Sequence, residues 1–308
     1  MSSCPRMALT ICLLFVVGAP SFGNETSSFR LMSFNILHGG VERGQPLSQT
    51  AEVMKLADIV GVQETHDDEI DNSVKLAKQL GWHHFQQGGN KAVISRFPIS
   101  GHTPKKTGVF IELTDGQQIC LFNAHFPAAP YQPYQLLDIE YGDAPFIKTE
   151  REAIDWARRS RGSQLAQVLV ELSQVRDREI PTFVTGDFNE PSHLDWTEQA
   201  ARKGIHPIRV RYPTAKMVGM HGLIDAFRNR HPNELLRPGF TWTPLTEPSD
   251  TADHHDRIDF VFSDRRHCTV ENCQVVGENQ ASADLVIAPW PSDHRAVIAE
   301  INIKPKRD

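Results

Sequence analysis

The chain has 308 residues, 40% hydrophobic and 23% charged, which are ordinary globular proportions with enough length to bury a large core. A net charge of −6 argues against a protein that holds nucleic acid by charge alone, though not against an enzyme that touches it briefly. Near the start, Arg6 precedes the apolar run MALTICLLFVVGA, which is short for a bilayer span. Ser21 and Gly23 put small residues three and one before a cleavage point ahead of Asn24. Residues 1–23 therefore read as a secretory signal peptide. The mature chain is expected to be secreted or periplasmic, with no membrane span.

Further along, 29–37 (FRLMSFNIL) reads as a strand, 50–57 as a helix, and 58–65 (DIVGVQET) as a buried strand ending in polar residues. Helical spacing over 68–81 stops at Gly81. A strand is expected at 91–99. Residues 108–126 read as a hairpin turning at Asp115-Gly116. The longest helical pattern covers 149–175, and strands follow at 180–188, 256–263, 268–276 and 294–303. No repeat, low-complexity tract or linker interrupts the pattern, so residues 24–308 read as one mixed α/β domain with two sheets, expected to be a monomer. Residues 127–147 stand apart, with four prolines and three of the four tyrosines. That segment is too polar and proline-rich for a core element and reads as an insertion at the rim of a cleft. Of the cysteines beyond the signal, Cys120 lies in an apolar strand as a core thiol. Cys268 and Cys273 flank TVEN, where a disulfide could close a small loop.

The stretch FVTGDFNEP (183–191) carries the first chemical signal. If the strand continues through it, Asp187 and Asn189 share one face while Phe188 points away. Gly, Asp, Asn and Pro are equally the residues of a turn. Polar groups recur at other strand ends: Asn35, Glu64, Asn123, His125, Asp259, and Ser292-Asp293-His294. Taken singly, Asn35 could satisfy a turn, Glu64 could cap a helix, and His125 could be a core histidine. Their recurrence at successive strand ends, where α/β proteins keep their chemistry, is harder to explain as turn formation.

The segments MSFNILHGG, DIVGVQET, ISRFPI, FNAHF, VTGDFNEP, FTWTP, RIDFVF and PSDHRAV stand in an order that resembles the endonuclease/exonuclease/phosphatase superfamily, the DNase I-like fold, over about residues 30–303. The resemblance implies a four-layer α/β sandwich: two mixed β-sheets face to face with helices outside. It also implies hydrolysis of phosphate esters with a divalent metal, usually Mg2+, with Mn2+ or Ca2+ as alternatives. By that resemblance Glu64 is the principal metal ligand, Asn35 supports it, and Asp293 adds a second carboxylate. Asp187 and His294 are the candidates to deprotonate water, Asp259 orients His294, Asn189 holds a phosphate oxygen or the water, and His125 protonates the leaving oxygen. The FNILHGG form looks like secreted bacterial sphingomyelinase-like and general phosphodiesterase members.

Four further residues are expected to meet substrate. Tyr131 and Tyr134 offer flat faces from the insertion, Arg161 is the helical arginine placed nearest the cleft, and Trp242 walls the site. The substrate is a phosphate ester on a small molecule, a lipid headgroup or a nucleic acid, without a stable nucleic-acid complex. A phosphodiesterase is the leading expectation. A secreted nuclease with the same site and a catalytically silent scaffold are the rivals. The DHHD tetrad (253–256) holds zinc-type ligands but has no evident third cluster, and reads as a solvated or substrate loop.

Overall fold

A computed structural model describes residue 1 and residues 27–304, so the apolar run read as a signal peptide lies outside the described residues. β1 (Ser28–Asn35) leads to α1 (Leu47–Met54) and β2 (Ile59–Gln63). A small ribbon, β3 (His66–Asp67) and β4 (Ile70–Asp71), precedes α2 (Asn72–Leu80), β5 (His83–Gln86), β6 (Lys91–Ser95) and β7 (Ile99–His102). The hairpin is β8 (Gly108–Glu112) and β9 (Gln118–His125), followed by α3 (Gln132–Leu137), α4 (Glu150–Arg176) and β10 (Thr182–Asp187). Then come α5 (Glu198–Arg202), α6 (Pro213–Met220), β11 (Leu223–Asp225) and α7 (Ala226–Arg230). The chain closes with β12 (Asp259–Asp264), β13 (Cys268–Gly277), β14 (Leu285–Val286) and β15 (Ala296–Ile303).

Two mixed sheets result, in the orders β14-β13-β15-β1-β2-β6-β5 and β11-β12-β10-β9-β8-β7. Leu31, Ile59 and Val93 of the first meet Leu121, Phe183 and Val261 of the second in one core. The outer face of the first sheet, with Phe34 and Val60, packs on Val53 and Leu76 of α1 and α2. The outer face of the second, with Phe122, Val184 and Phe260, packs on Leu165 and Leu169 of α4 and Val218 of α6. The central strands are thus buried on both faces, which is why they read as unbroken apolar runs rather than alternating ones. The architecture is the four-layer α/β sandwich of the DNase I-like fold.

Local chemistry sets the ends. Thr149 and Glu152 form a reciprocal capping box at the start of α4, and Asp71 caps α2, which stops at Gly81 in the left-handed region. The helix expected at 68–81 starts only at Asn72 because β3 and β4 occupy the residues before it. The strand expected at 256–263 starts at Asp259, because Asp256 bridges to Trp242 instead. β5, β7, β11 and the helices α5, α6 and α7 are short elements that no periodic pattern announced. The open question of a bridge across TVEN is answered by the strand: Cys268 and Cys273 lie along it as buried free thiols. Residues 127–147 are also not a polar projection. They contain α3, and they bury Tyr131, Leu136 and Ile147.

Between the sheets, directly beneath the polar strand ends, lies a buried amide network. Asn123 donates to the carbonyls of Val62 (2.9 Å) and Ala92 (3.1 Å), and its oxygen accepts from Gln63 (2.6 Å) and Thr185 (3.2 Å). Gly61 makes room for it: a Cβ there would sit 2.0 Å from Thr185 Oγ1. Asn123 therefore joins the two sheets and does not reach the surface.

Candidate active site

Strand register assembles the site. His125, Asp187 and Asp259 stand opposite one another on β9, β10 and β12, forming one row across the second sheet. Asn35 ends β1, Glu64 follows β2, and Ser292-Asp293-His294 enter β15, all from the first sheet. Ser292 Oγ donates to the Asn35 carbonyl (2.7 Å) and accepts from the His294 N–H (3.1 Å), fastening these two strand ends together.

Asp187, fully buried, is the hub. Its Oδ2 accepts from Asn35 Nδ2 at 3.0 Å and lies 3.6 Å from His125 Nε2 and 3.7 Å from His294 Nε2. Asn35 Nδ2 also donates to Glu64 Oε1 at 3.0 Å, while Asn35 Oδ1 accepts from the Leu37 N–H. Asn35 therefore orients two carboxylates rather than turning an oxygen toward an ion. His294 Nδ1 meets Asp259 Oδ2 at 2.9 Å. Glu64 and Asn189 both sit at positive φ, 56° and 48°, a conformation that side chains rarely adopt unless surrounding contacts impose it.

Charge distribution follows from these contacts. Burial pulls the His294 imidazolium down, but the facing carboxylates of Asp259 and Asp187 overcome it and hold the ring protonated well above the usual histidine range. Burial raises Glu64, but the Asn35 hydrogen bond and the His294 and His125 charges leave it below its ordinary value, so it is ionised. Burial also pushes Asp293 up. His294 opposes that shift, and the Glu64 and Asp187 charges add to it. Glu64, Asp187 and Asp259 converge on His125 and His294 here, and the Glu64, His125 and Asp187 ligand atoms lie within 4.8 Å of one another. Such an oxygen-rich, negatively charged set fits a hard divalent cation.

A pocket of about 220 Å3 opens over this floor, lined by Leu37, His38, Tyr141 and Trp242 among others. Among the described residues, no lysine or arginine lines it. Trp242 lies with its ring 4.9 Å from that of His294 and donates to Tyr134 Oη at 3.2 Å. Tyr131 and Tyr134 touch the pocket but are largely buried, with hydroxyls bonded to Asp256 (2.7 Å) and Asp253 (2.5 Å), so they are wall rather than projecting faces. Arg161 does not meet substrate at all. Its buried guanidinium holds Gln132 (2.7 Å) and the carbonyls of Ala128 and Pro130, which makes it the internal brace of the 127–147 segment. Asn189 also differs from expectation. The strand stops at Asp187, and the Asn189 N–H donates to Asp187 Oδ1 (2.8 Å) while its Nδ2 reaches the Phe126 carbonyl (3.0 Å). FVTGDFNEP therefore does turn after Asp187, and the turn folds Asn189 back onto the Asp187 carboxylate.

Two polar residues of the pocket escaped the sequence reading. His38, in the HGG that follows β1, donates its N–H to Glu64 Oε2 at 3.3 Å, and its ring lies 3.9 Å from the same oxygen. Tyr141 is 43% exposed and stands edge-on to Tyr134 at 5.8 Å. The left-handed Leu37-His38-Gly39-Gly40 run was the visible signal for the first, and the tyrosine count of the insertion was the signal for the second.

Carboxylates, amides and imidazoles gathered where two face-to-face sheets end are the equipment of a phosphate-ester hydrolase. Over residues 32–294 the chain matches the Endonuclease/Exonuclease/phosphatase family and belongs to it. An uncharacterized protein of Caenorhabditis elegans is 29% identical over 303 residues, spanning 90% of this chain and 92% of the relative. The 3' phosphatase NExo from Neisseria, bound to a product DNA hairpin, is similar with a TM-score of 0.54 at 16% identity, covering 88% of this chain and 98% of that one. An AP endonuclease from Archaeoglobus fulgidus is similar with a TM-score of 0.51 at 15% identity, covering 88% and 98%. At such identities the two structures speak to the fold alone.

Proposed function

We propose that this protein is an exported, divalent-metal-dependent phosphodiesterase acting on a compact diester. The carrying observation is the position of Asp187 Oδ2, within 4 Å of both imidazoles and bonded to Asn35. A hard cation, magnesium by preference with manganese or calcium as substitutes, would be held by Glu64 and Asp293 and would neutralise charge on the phosphate oxygens. Asp187 is ideally placed to take the proton from an attacking water. His294, kept cationic by Asp259, donates to a phosphate oxygen, and Asp259 acts by position. His125, on the neighbouring strand, gives its proton to the leaving oxygen. Asn189 keeps the Asp187 carboxylate aligned.

The pocket supports a diester over a monoester or a long polyanion. A monoester dianion and the flanking phosphates of a nucleic acid are ordinarily gripped by arginine or lysine, and among the described residues neither lines this cavity. Export rests on the N-terminal apolar run alone. The test is turnover of bis(p-nitrophenyl) phosphate beside p-nitrophenyl phosphate and single-stranded DNA, with magnesium or manganese and with chelator. Metal-dependent cleavage of the diester at least ~10-fold faster than the monoester supports the reading. Preference for DNA would favour a nuclease instead, and no turnover of any of the three would reduce the chain to a binding scaffold.

A further inference from the structure

The DHHD segment is not a solvated loop. His255 and Asp256 are buried, and the fold carries His254 and Asp256 to His206, which lies just beyond α5 and 48 residues earlier in the chain. His206 Nδ1 and His254 Nε2 face each other at 3.0 Å, and His254 Nε2 lies 4.0 Å from Asp256 Oδ1. All three atoms fall within 4.8 Å of one another. This is the third ligand that the sequence did not reveal.

We propose that His206, His254 and Asp256 form a second, structural metal site for a zinc-type divalent ion. Ligands about 2.0–2.1 Å from a tetrahedral zinc stand about 3.4 Å apart, and the two separations here fall on either side of that value. Two imidazoles and one carboxylate are a borderline-soft set that suits zinc or cobalt, unlike the oxygen-rich set around Glu64. The ligands are also held from outside, as in established zinc centres. The His206 ring stacks on Trp196 with centroids 4.2 Å apart, Trp196 Nε1 donates to Asp256 Oδ1 (2.7 Å), and Tyr131 Oη donates to Asp256 Oδ2 (2.7 Å). Arg228 and Arg257, which line a small cavity together with His206 and Asp256, are paired with Asp195 and Asp225 and so do not oppose a cation. Solvent would supply the fourth ligand.

The ion would fasten the wall of the catalytic pocket from behind. Asp256 exchanges two main-chain hydrogen bonds with Trp242 (3.0 and 2.9 Å), and Trp242 stands against His294. Its role is therefore to hold 253–256, Trp242 and Tyr131 in place, not to contact substrate.

The test is cobalt and zinc binding by the full chain after chelator treatment. The Glu64→Gln variant should keep one equivalent of Co(II), with the visible absorption of a four-coordinate ion. His206→Ala and His254→Ala should weaken that binding by more than ~100-fold, beyond the usual penalty for losing an outer partner of a ligand. Should neither histidine variant fold, the Glu64→Gln variant still decides the matter. Micromolar zinc should raise its melting temperature by several degrees, and the same concentration of magnesium should not. Cobalt absorption that survives in His206→Ala, or a melting temperature indifferent to zinc, overturns the proposal.

Discussion

His294 and His206 are both buried imidazoles in aspartate-containing clusters, yet the fold gives them opposite charge. His294 faces two carboxylates, Asp259 at 2.9 Å and Asp187 at 3.7 Å, which outweigh burial and hold it well above the usual histidine range. For His206, burial and the neighbouring His254 push the ring down to about 3, against a weak pull from Asp195, so it is neutral. Burial together with the His255 charge takes His254 to about 4, against Asp253. Asp256, the nearest carboxylate, is itself raised well above its usual value by burial and does not compensate. Burial alone therefore does not set protonation. The number of ionised carboxylates aimed at the ring does, and it separates a centre that handles phosphate from one suited to a soft ion.

The contrast is broken most severely at Glu64. Glu64→Gln keeps shape and removes a ligand charge worth several kcal/mol, so diester turnover should fall by ~10³-fold or more with the fold intact. Near-normal turnover at limiting magnesium would remove Glu64 from the centre. Next come Asp187→Asn and His294→Ala, each expected to cost ~10²-fold. Asp259→Asn should cost less, about 10-fold, and fall on kcat rather than KM, because Asp259 positions and does not touch substrate. A ranking with Asp259→Asn worst would reverse these roles.

A carboxylate outside both clusters supplies the control for pH. Burial raises Glu171, but hydrogen bonds from Thr103 Oγ1 (2.5 Å), Thr107 Oγ1 (2.5 Å) and the Lys105 N–H (2.7 Å) hold it below its ordinary value. A depressed folded value means that its stabilisation is present above the unfolded pKa and fades as pH falls below ~4.3. The melting temperature should drop across that range, and Glu171→Gln should flatten the drop at a cost of ~1–3 kcal/mol at neutral pH. Denaturant melts at several pH values read both effects.

The smallest effects lie on the pocket wall. Tyr131→Phe removes one buried hydrogen bond to Asp256 and should cost ~1 kcal/mol of stability, with turnover of a small diester unchanged. Tyr141 is half exposed, so Tyr141→Ala should stay within ~0.5 kcal/mol in stability. If Tyr141→Ala instead destabilises more than Tyr131→Phe, the assignment of inner wall and open rim is inverted.

Strand ends and their polar residues were legible from the chain alone because each is local: an apolar run, then Asn35, Glu64, His125 or Asp187. Period and motif order carried the two-sheet architecture and the polar row at the strand ends. What lay beyond the sequence depended on approach between distant segments. Asn123 has the same look as its neighbours, but it is enclosed only because Gly61 lets the facing sheet come close. Arg161 sits in a polar helical pattern, and only the packing of 127–147 over α4 turns its guanidinium inward. Cys268 and Cys273 are close in sequence, yet a common extended strand keeps them apart as free thiols. His206 and His254 meet across 48 residues, through no periodicity that a chain can display. Local composition determined which residues could do chemistry, and tertiary packing decided which of them share a charge, a solvent boundary or an ion.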